Sequence, residues 1–87
     1  MRSLVFDPHA FEDRAWWVEH DRKTALRIIR LLREVRRTPF EGTGQPEPLR
    51  DELADCWSRR IDQEHRLVYL PSEDGGSVRI LACRYHY

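Results

Sequence analysis

The chain has 87 residues, of which 40% are hydrophobic and 34% charged, and its 15 basic and 15 acidic side chains cancel to zero net charge. That length predicts one small domain over residues 1–87, and a domain of this size buries only about 60% of its unfolded surface. The composition excludes an extended disordered chain, no apolar run reaches the roughly 20 residues of a membrane-spanning helix, and the whole-molecule charge gives no field that would by itself attract a polyanion.

Met1 to Asp7 lacks the apolar core and small-residue cleavage site of a signal peptide, so a cytoplasmic location is expected. Leu4-Val5-Phe6 reads as a first strand, closed by Asp7-Pro8. Asp7 is placed to cap the helix that follows, and Pro8 suits its first position. Phe11, Ala15 and Val18 recur at helical spacing with Trp16 and Trp17 beside them, which predicts a helix ending near His20-Asp21. Asp21 then caps a second helix whose apolar stripe is Ala25, Ile28, Ile29, Leu32 and Val35. Its other face carries Arg22, Lys23, Arg27, Arg30, Arg33 and Arg37, and Thr38-Pro39 ends it, because the residue before a proline disfavours helical dihedrals.

Phe40 to Leu49 contains two glycines and two prolines and is expected to be a loop, with a short helical turn over Arg50 to Asp55. Three strand-like segments follow, Cys56–Ile61, His65–Leu70 and Ser77–Tyr85, separated by the short turns 62–64 and 71–76. The predicted fold class is therefore α+β, in the order β-α-α-β-β-β. Two N-terminal helices pack on one face of a small, mainly antiparallel sheet, and the other face is left open as a binding surface.

The basic residues are arginines except for Lys23, and a guanidinium can grip a phosphate with two parallel hydrogen bonds. Cys56 and Cys83 have neither zinc-site nor CxxC spacing and are expected to be buried free thiols. No cluster of His, Cys and carboxylates has metal-ligand spacing, so no metal or other cofactor is expected. Glu47 stands between Pro46 and Pro48, which hold its backbone extended and present its carboxylate on a stiff segment. Arg59, Arg60 and Arg66 fall on neighbouring strands. Alternation lets only one of Arg59 and Arg60 share the open face with Arg66. The chain ends in the aromatic run Tyr85-His86-Tyr87, and His86 is suited to proton transfer near neutral pH. A base, a cation and an acid are what RNA cleavage by the ribose 2′-hydroxyl needs.

Four segments, in order and spacing, carry a resemblance. They are Arg36-Arg37-Thr38-Pro39-Phe40-Glu41-Gly42-Thr43-Gly44-Gln45-Pro46-Glu47-Pro48-Leu49, then Trp57-Ser58-Arg59-Arg60-Ile61, then Glu64-His65-Arg66-Leu67-Val68-Tyr69, and the ending Ala82-Cys83-Arg84-Tyr85-His86-Tyr87. Together they resemble the YoeB/Txe toxins of the RelE superfamily. The resemblance implies a RelE-like microbial ribonuclease fold and a toxin–antitoxin module. It further implies metal-independent cleavage of messenger RNA in the ribosomal A site, which inhibits translation. It puts the general base on Glu47, the transition-state cation on Arg66 and the general acid on His86. Supporting roles fall on Arg50, Arg60, Glu64 and Tyr87, with Glu64 orienting Arg66 or Arg60. Arg50 replaces the family's usual lysine, and the chain is less basic than a ribosome binder is expected to be. The implied partners are mRNA on the 70S ribosome, a YefM-like antitoxin and a second copy of the toxin. Two alternatives remain open: a ParE-like gyrase inhibitor of the same fold, and a non-catalytic RNA-binding module.

Overall fold

The computed structural model describes residues 1–84. Strand β1 (Ser3–Phe6) leads into helix α1 (Pro8–His20) and helix α2 (Arg22–Arg37). A two-residue strand, β2 (Glu47–Pro48), precedes a 3₁₀ turn over Asp51–Leu53, and β3 (Trp57–Arg60), β4 (Arg66–Pro71) and β5 (Ser77–Ala82) complete the chain order. The five strands form one sheet in the order β1-β5-β4-β3-β2. All pairings are antiparallel except β1 with β5, which is parallel and is reached by way of the helical hairpin. The predicted β-α-α-β-β-β arrangement is therefore the one observed, with β2 added at an edge. Its register of Glu47 on Ser58 and Pro48 on Trp57 uses the extended backbone that the flanking prolines impose.

Both helices cover one face of the sheet. From α2, Ala25, Ile28, Leu31, Leu32 and Val35 are buried, and they meet Leu67, Tyr69, Val78 and Ile80 from the sheet. Each buried Val, Leu or Ile side chain among them contributes about 1.5–3 kcal/mol. Asp21 caps α2 as expected, accepting hydrogen bonds from both the amide and the hydroxyl of Thr24.

The expected face of α1 needs correction. The residues it buries are Ala10, Asp13 and Trp17, whereas Phe11 and Val18 stand about half exposed. The side chain of Trp17 sets this orientation, since its indole N–H reaches the Cys83 carbonyl at 2.7 Å. A buried indole needs such an acceptor, and that requirement outweighs the aliphatic stripe. Nor does Asp7 cap α1: its carboxylate is taken by Arg79 of β5, at 2.7 and 3.0 Å, and makes no side-chain cap bond.

The far sheet face is not wholly open either. Leu49 and Leu53, from the segment around the 3₁₀ turn, pack with Leu70 and Leu81 over Cys56, Val68 and Ala82 to make a second small core. A register shift at Val68/Tyr69 lets Ile80 face the helices while Ala82 faces the other way. β5 ends at Ala82 rather than Tyr85. The Cys83 amide donates to the Asp13 carboxylate at 3.0 Å while its carbonyl accepts from Trp17, so α1 takes both groups that would continue the ladder. Both cysteines are free and buried, and burial, with the Asp13 carboxylate adding, pushes the Cys83 thiol up to about 12.

Candidate active site

The hairpin between β3 and β4 sets the site's centre. The Asp62 carboxylate accepts from the amides of Glu64 and His65 at 2.8 and 2.7 Å, closing a tight turn. That turn brings Arg60 and Arg66 into register as direct partners. Side chains of directly paired residues point to the same face, so Arg60, exposed, and Arg66, half-buried, share the face turned away from the helices. Two like charges set opposite each other are unfavourable on their own. The cost is offset in part by Glu47, whose carboxylate lies 3.4 Å from the Arg66 guanidinium. Glu47 shares that face because it pairs with Ser58, which lies two residues before Arg60 on β3. The outcome is an exposed edge with a carboxylate and two guanidinium groups gathered on one surface.

Of the two arginines that alternation set against each other, Arg60 is thus the one beside Arg66. Arg59 is fully buried on the helix side. Its guanidinium donates to the Tyr69 hydroxyl, to the Glu34 carboxylate and to the carbonyls of Thr38, Glu41 and Thr43. Alternation alone could not say which arginine turned inward. The discriminating signal was the nearby Tyr69 and Glu34, which supply polar partners on the helix side.

The other candidate residues are placed less centrally. Arg50 is exposed at the start of the 3₁₀ turn, just beyond β2. Glu64 is exposed in the β3–β4 turn with its carboxylate 3.6 Å from Nε2 of His65, and the carboxylate paired with Arg66 is that of Glu47. His65 packs edge-on against Trp17, with ring centroids 4.8 Å apart. His86 and Tyr87 lie outside the described residues. The chain leading to them is held as far as Arg84, whose guanidinium stacks 3.6 Å from the centre of the Trp16 ring. Among the described residues no group of three or more His, Cys, Asp or Glu is disposed to hold a metal ion.

Two helices covering one face of a mixed five-stranded sheet are the arrangement of the RelE/YoeB fold. The family model describing the YoeB-like toxin of bacterial type II toxin–antitoxin systems matches residues 6–87. The chain belongs to this family of toxins. It is 58% identical to the toxin YoeB of Mycobacterium bovis over 87 residues, covering all of both chains. Among solved structures it is similar to the YoeB/ParE toxin from Agrobacterium tumefaciens, at 41% identity and a TM-score of 0.93, covering 98% of this chain and 99% of that one. It is also similar to YoeB from Staphylococcus aureus, solved both as a dimer and as a YoeB–YefM complex. The dimer gives 39% identity and a TM-score of 0.89 over 99% of this chain and 98% of that one. The complex gives 38% and 0.86 over 100% and 99%. No helix among the described residues is long and apolar enough to cross a membrane.

Proposed function

We propose that this toxin is a metal-independent endoribonuclease that cuts messenger RNA in the A site of the 70S ribosome and so stops translation. Residues 1–87 act as one domain in the cytoplasm, without a cofactor. Glu47 takes the proton of the ribose 2′-hydroxyl, the 2′-oxygen attacks the adjacent phosphorus, and the bond to the 5′-oxygen breaks to leave a cyclic phosphate. Arg66 stabilises the charge that builds on the phosphoryl oxygens, and His86 protonates the departing 5′-oxygen. Arg60 and Arg50 hold neighbouring phosphates, Glu64 orients an arginine of this face, and Tyr87 stacks on a base.

The observation that carries this reading is the contact of Glu47 with Arg66 at 3.4 Å, on the face where Arg60 is Arg66's direct partner. A solvent-exposed ion pair is worth only about 0–1 kcal/mol. An incoming phosphate therefore displaces the carboxylate from Arg66 at little cost, and the same exchange frees Glu47 to accept a proton. The partner is a YefM-like antitoxin whose acidic segment meets the arginine surface, and the toxin pairs with a second copy of itself. The S. aureus dimer and YoeB–YefM complex support this assembly.

The test is cleavage of message on programmed ribosomes, cross-linked to survive chelation, in excess EDTA. Wild-type protein is expected to cut at the A-site codon, and Glu47→Gln to cut about 10²–10⁴-fold more slowly. Loss of wild-type cleavage in EDTA would sink the metal-free mechanism. Intact message with gyrase-dependent DNA breaks would move the protein to the gyrase inhibitors. Stable ribosome binding without cleavage would make it a non-catalytic RNA-binding module.

A further inference from the structure

A guanidinium has five N–H donors, and in Arg59 every one has an acceptor. Nε–H donates to the Tyr69 hydroxyl at 3.1 Å. Nη1 donates to Glu34 at 3.0 Å and to the Thr43 carbonyl at 3.3 Å. Nη2 donates to the carbonyls of Thr38 and Glu41. The two acceptor side chains reach the same segment: the Tyr69 hydroxyl donates to the Pro39 carbonyl at 2.6 Å, and the Glu34 carboxylate accepts from the Thr43 amide at 2.6 Å. Four carbonyls and one amide of residues 38–43 are thereby tied to a single buried cation and its two partners.

The backbone around this cluster is shaped to fit it. Gly42 and Gly44 have φ of +125° and +89°. A Cβ on Gly42 would fall on the Glu34 carboxylate, and one on Gly44 would crowd Arg59 and the Arg60 backbone. The Gly44 carbonyl then accepts from the Arg60 amide at 2.7 Å, and three residues later the chain enters β2 at Glu47. The segment that presents Glu47 is therefore held at both ends by β3: on the helix side through the Arg59 side chain, and along the edge through the backbone of Arg60 and Ser58.

Burying a charged cluster is an expensive way to gain stability, and well-packed apolar residues often serve as well. What a saturated polar cluster adds is one conformation in preference to others. We propose that Arg59 is a positioning residue: it locks the 38–44 segment into the one path that sets the Glu47 carboxylate beside Arg66. This rests on the role of Glu47 proposed above. Arg59 is fully buried and touches no RNA, so it acts on the rate of the cleavage step and not on ribosome binding. A displacement of about 1 Å at a reacting group can cost about 10²-fold in rate.

The experiment measures single-turnover cleavage of ribosome-bound message by the full chain, against toxin concentration. It compares wild type, Arg59→Lys, Tyr69→Phe and Glu47→Gln, and each of the first two substitutions combined with Glu47→Gln. Lysine keeps a charge beside Glu34 but cannot reach the diverging carbonyls; phenylalanine removes only the hydroxyl and suits the case where Arg59→Lys does not fold. The expected result is a maximal rate about 10–100-fold lower for Arg59→Lys and several-fold lower for Tyr69→Phe, with half-saturation unchanged. Both losses should disappear in the Glu47→Gln background, because there is no longer a base to misplace. A loss that multiplies with Glu47→Gln, or wild-type maximal rates for the folded variants, would overturn the proposal. So would an unfolded Arg59→Lys protein together with a fully active Tyr69→Phe protein. If Glu47→Gln itself cleaves at the full rate, the assignment of Glu47 falls and this proposal falls with it. If Glu47→Gln is slow while Arg59→Lys and Tyr69→Phe are normal, only the positioning role is lost.

Discussion

Arg60 and Arg66 meet as direct partners across β3 and β4, and among the described residues the Glu47 carboxylate is the one paired with Arg66. Like charges directly opposite each other on neighbouring strands are destabilising. Changing Arg66 to alanine relieves the repulsion and removes little packing, so thermal stability is expected to stay near the wild-type value. Cleavage should fall about 10²–10³-fold, as when one donor is lost from a site that stabilises developing charge. The paired measurements are a melting curve and a cleavage rate on programmed ribosomes. An Arg66→Ala protein of full activity would remove Arg66 from the mechanism, and one that failed to fold would give it a structural role instead.

At the scale of elements, α2 does more than cover the sheet. Its Glu34 side chain reaches out of the helix to hold the 38–44 segment, and Arg27 donates to the carbonyls of Ile61 and Arg60 at the end of β3. The backbone hydrogen bond from Thr43 holds the Glu34 carboxyl below its ordinary value of 4.5. Hydrogen bonds from the Thr43 and Arg59 side chains act the same way, and burial opposes them. A carboxyl depressed in the folded state adds stability that is complete above its unfolded value and is lost as pH falls through the folded value. The stability gap between wild type and Glu34→Gln, measured by urea unfolding, should therefore be full at neutral pH. It should close as pH drops below the ordinary carboxylate range. A gap that is the same in acid and at neutral pH would show that the Glu34 charge contributes nothing to holding the segment.

For the whole molecule, α1 determines where the chain leaves the sheet. Asp13 and Trp17 clamp Cys83, and Trp16 receives Arg84, so the fold is anchored up to the last described residue. A protein ending at Tyr85 loses none of these contacts. It is expected to melt like the full chain and still to bind a YefM-like partner. Its cleavage should be slower by about 10²–10⁴-fold, the usual worth of a general acid. His86→Gln should reproduce most of that loss. Full-rate cleavage by the truncated chain would mean that another group, with His65 the nearest along the sequence, donates the proton.

The order of elements was legible from the residues alone because helical and strand periodicities are local: the stripe of α2, the Asp21 cap, the Thr38-Pro39 stop and the three C-terminal strands all needed only neighbours in sequence. The extended backbone at Glu47 was legible too, since two prolines constrain it wherever it sits. What depended on residues far apart in the chain was not. The periodicity of α1 favoured Phe11 and Val18, but the need of a buried indole for the Cys83 carbonyl turned Ala10, Asp13 and Trp17 inward. Asp7 was a plausible cap until Arg79, 72 residues away, took its carboxylate. The sheet face predicted to be open acquired a cover because Leu49 and Leu53 had apolar partners on strands that the sequence could not place against them. The sequence by itself thus determined the two helices and the order of the four longer strands, but neither the edge strand β2 nor the end of β5 at Ala82. Only the tertiary structure decided that Arg60 stands beside Arg66 while Arg59 turns inward, because a buried guanidinium is tolerable only where five acceptors converge, and those acceptors come from α2, the 38–43 segment and β4.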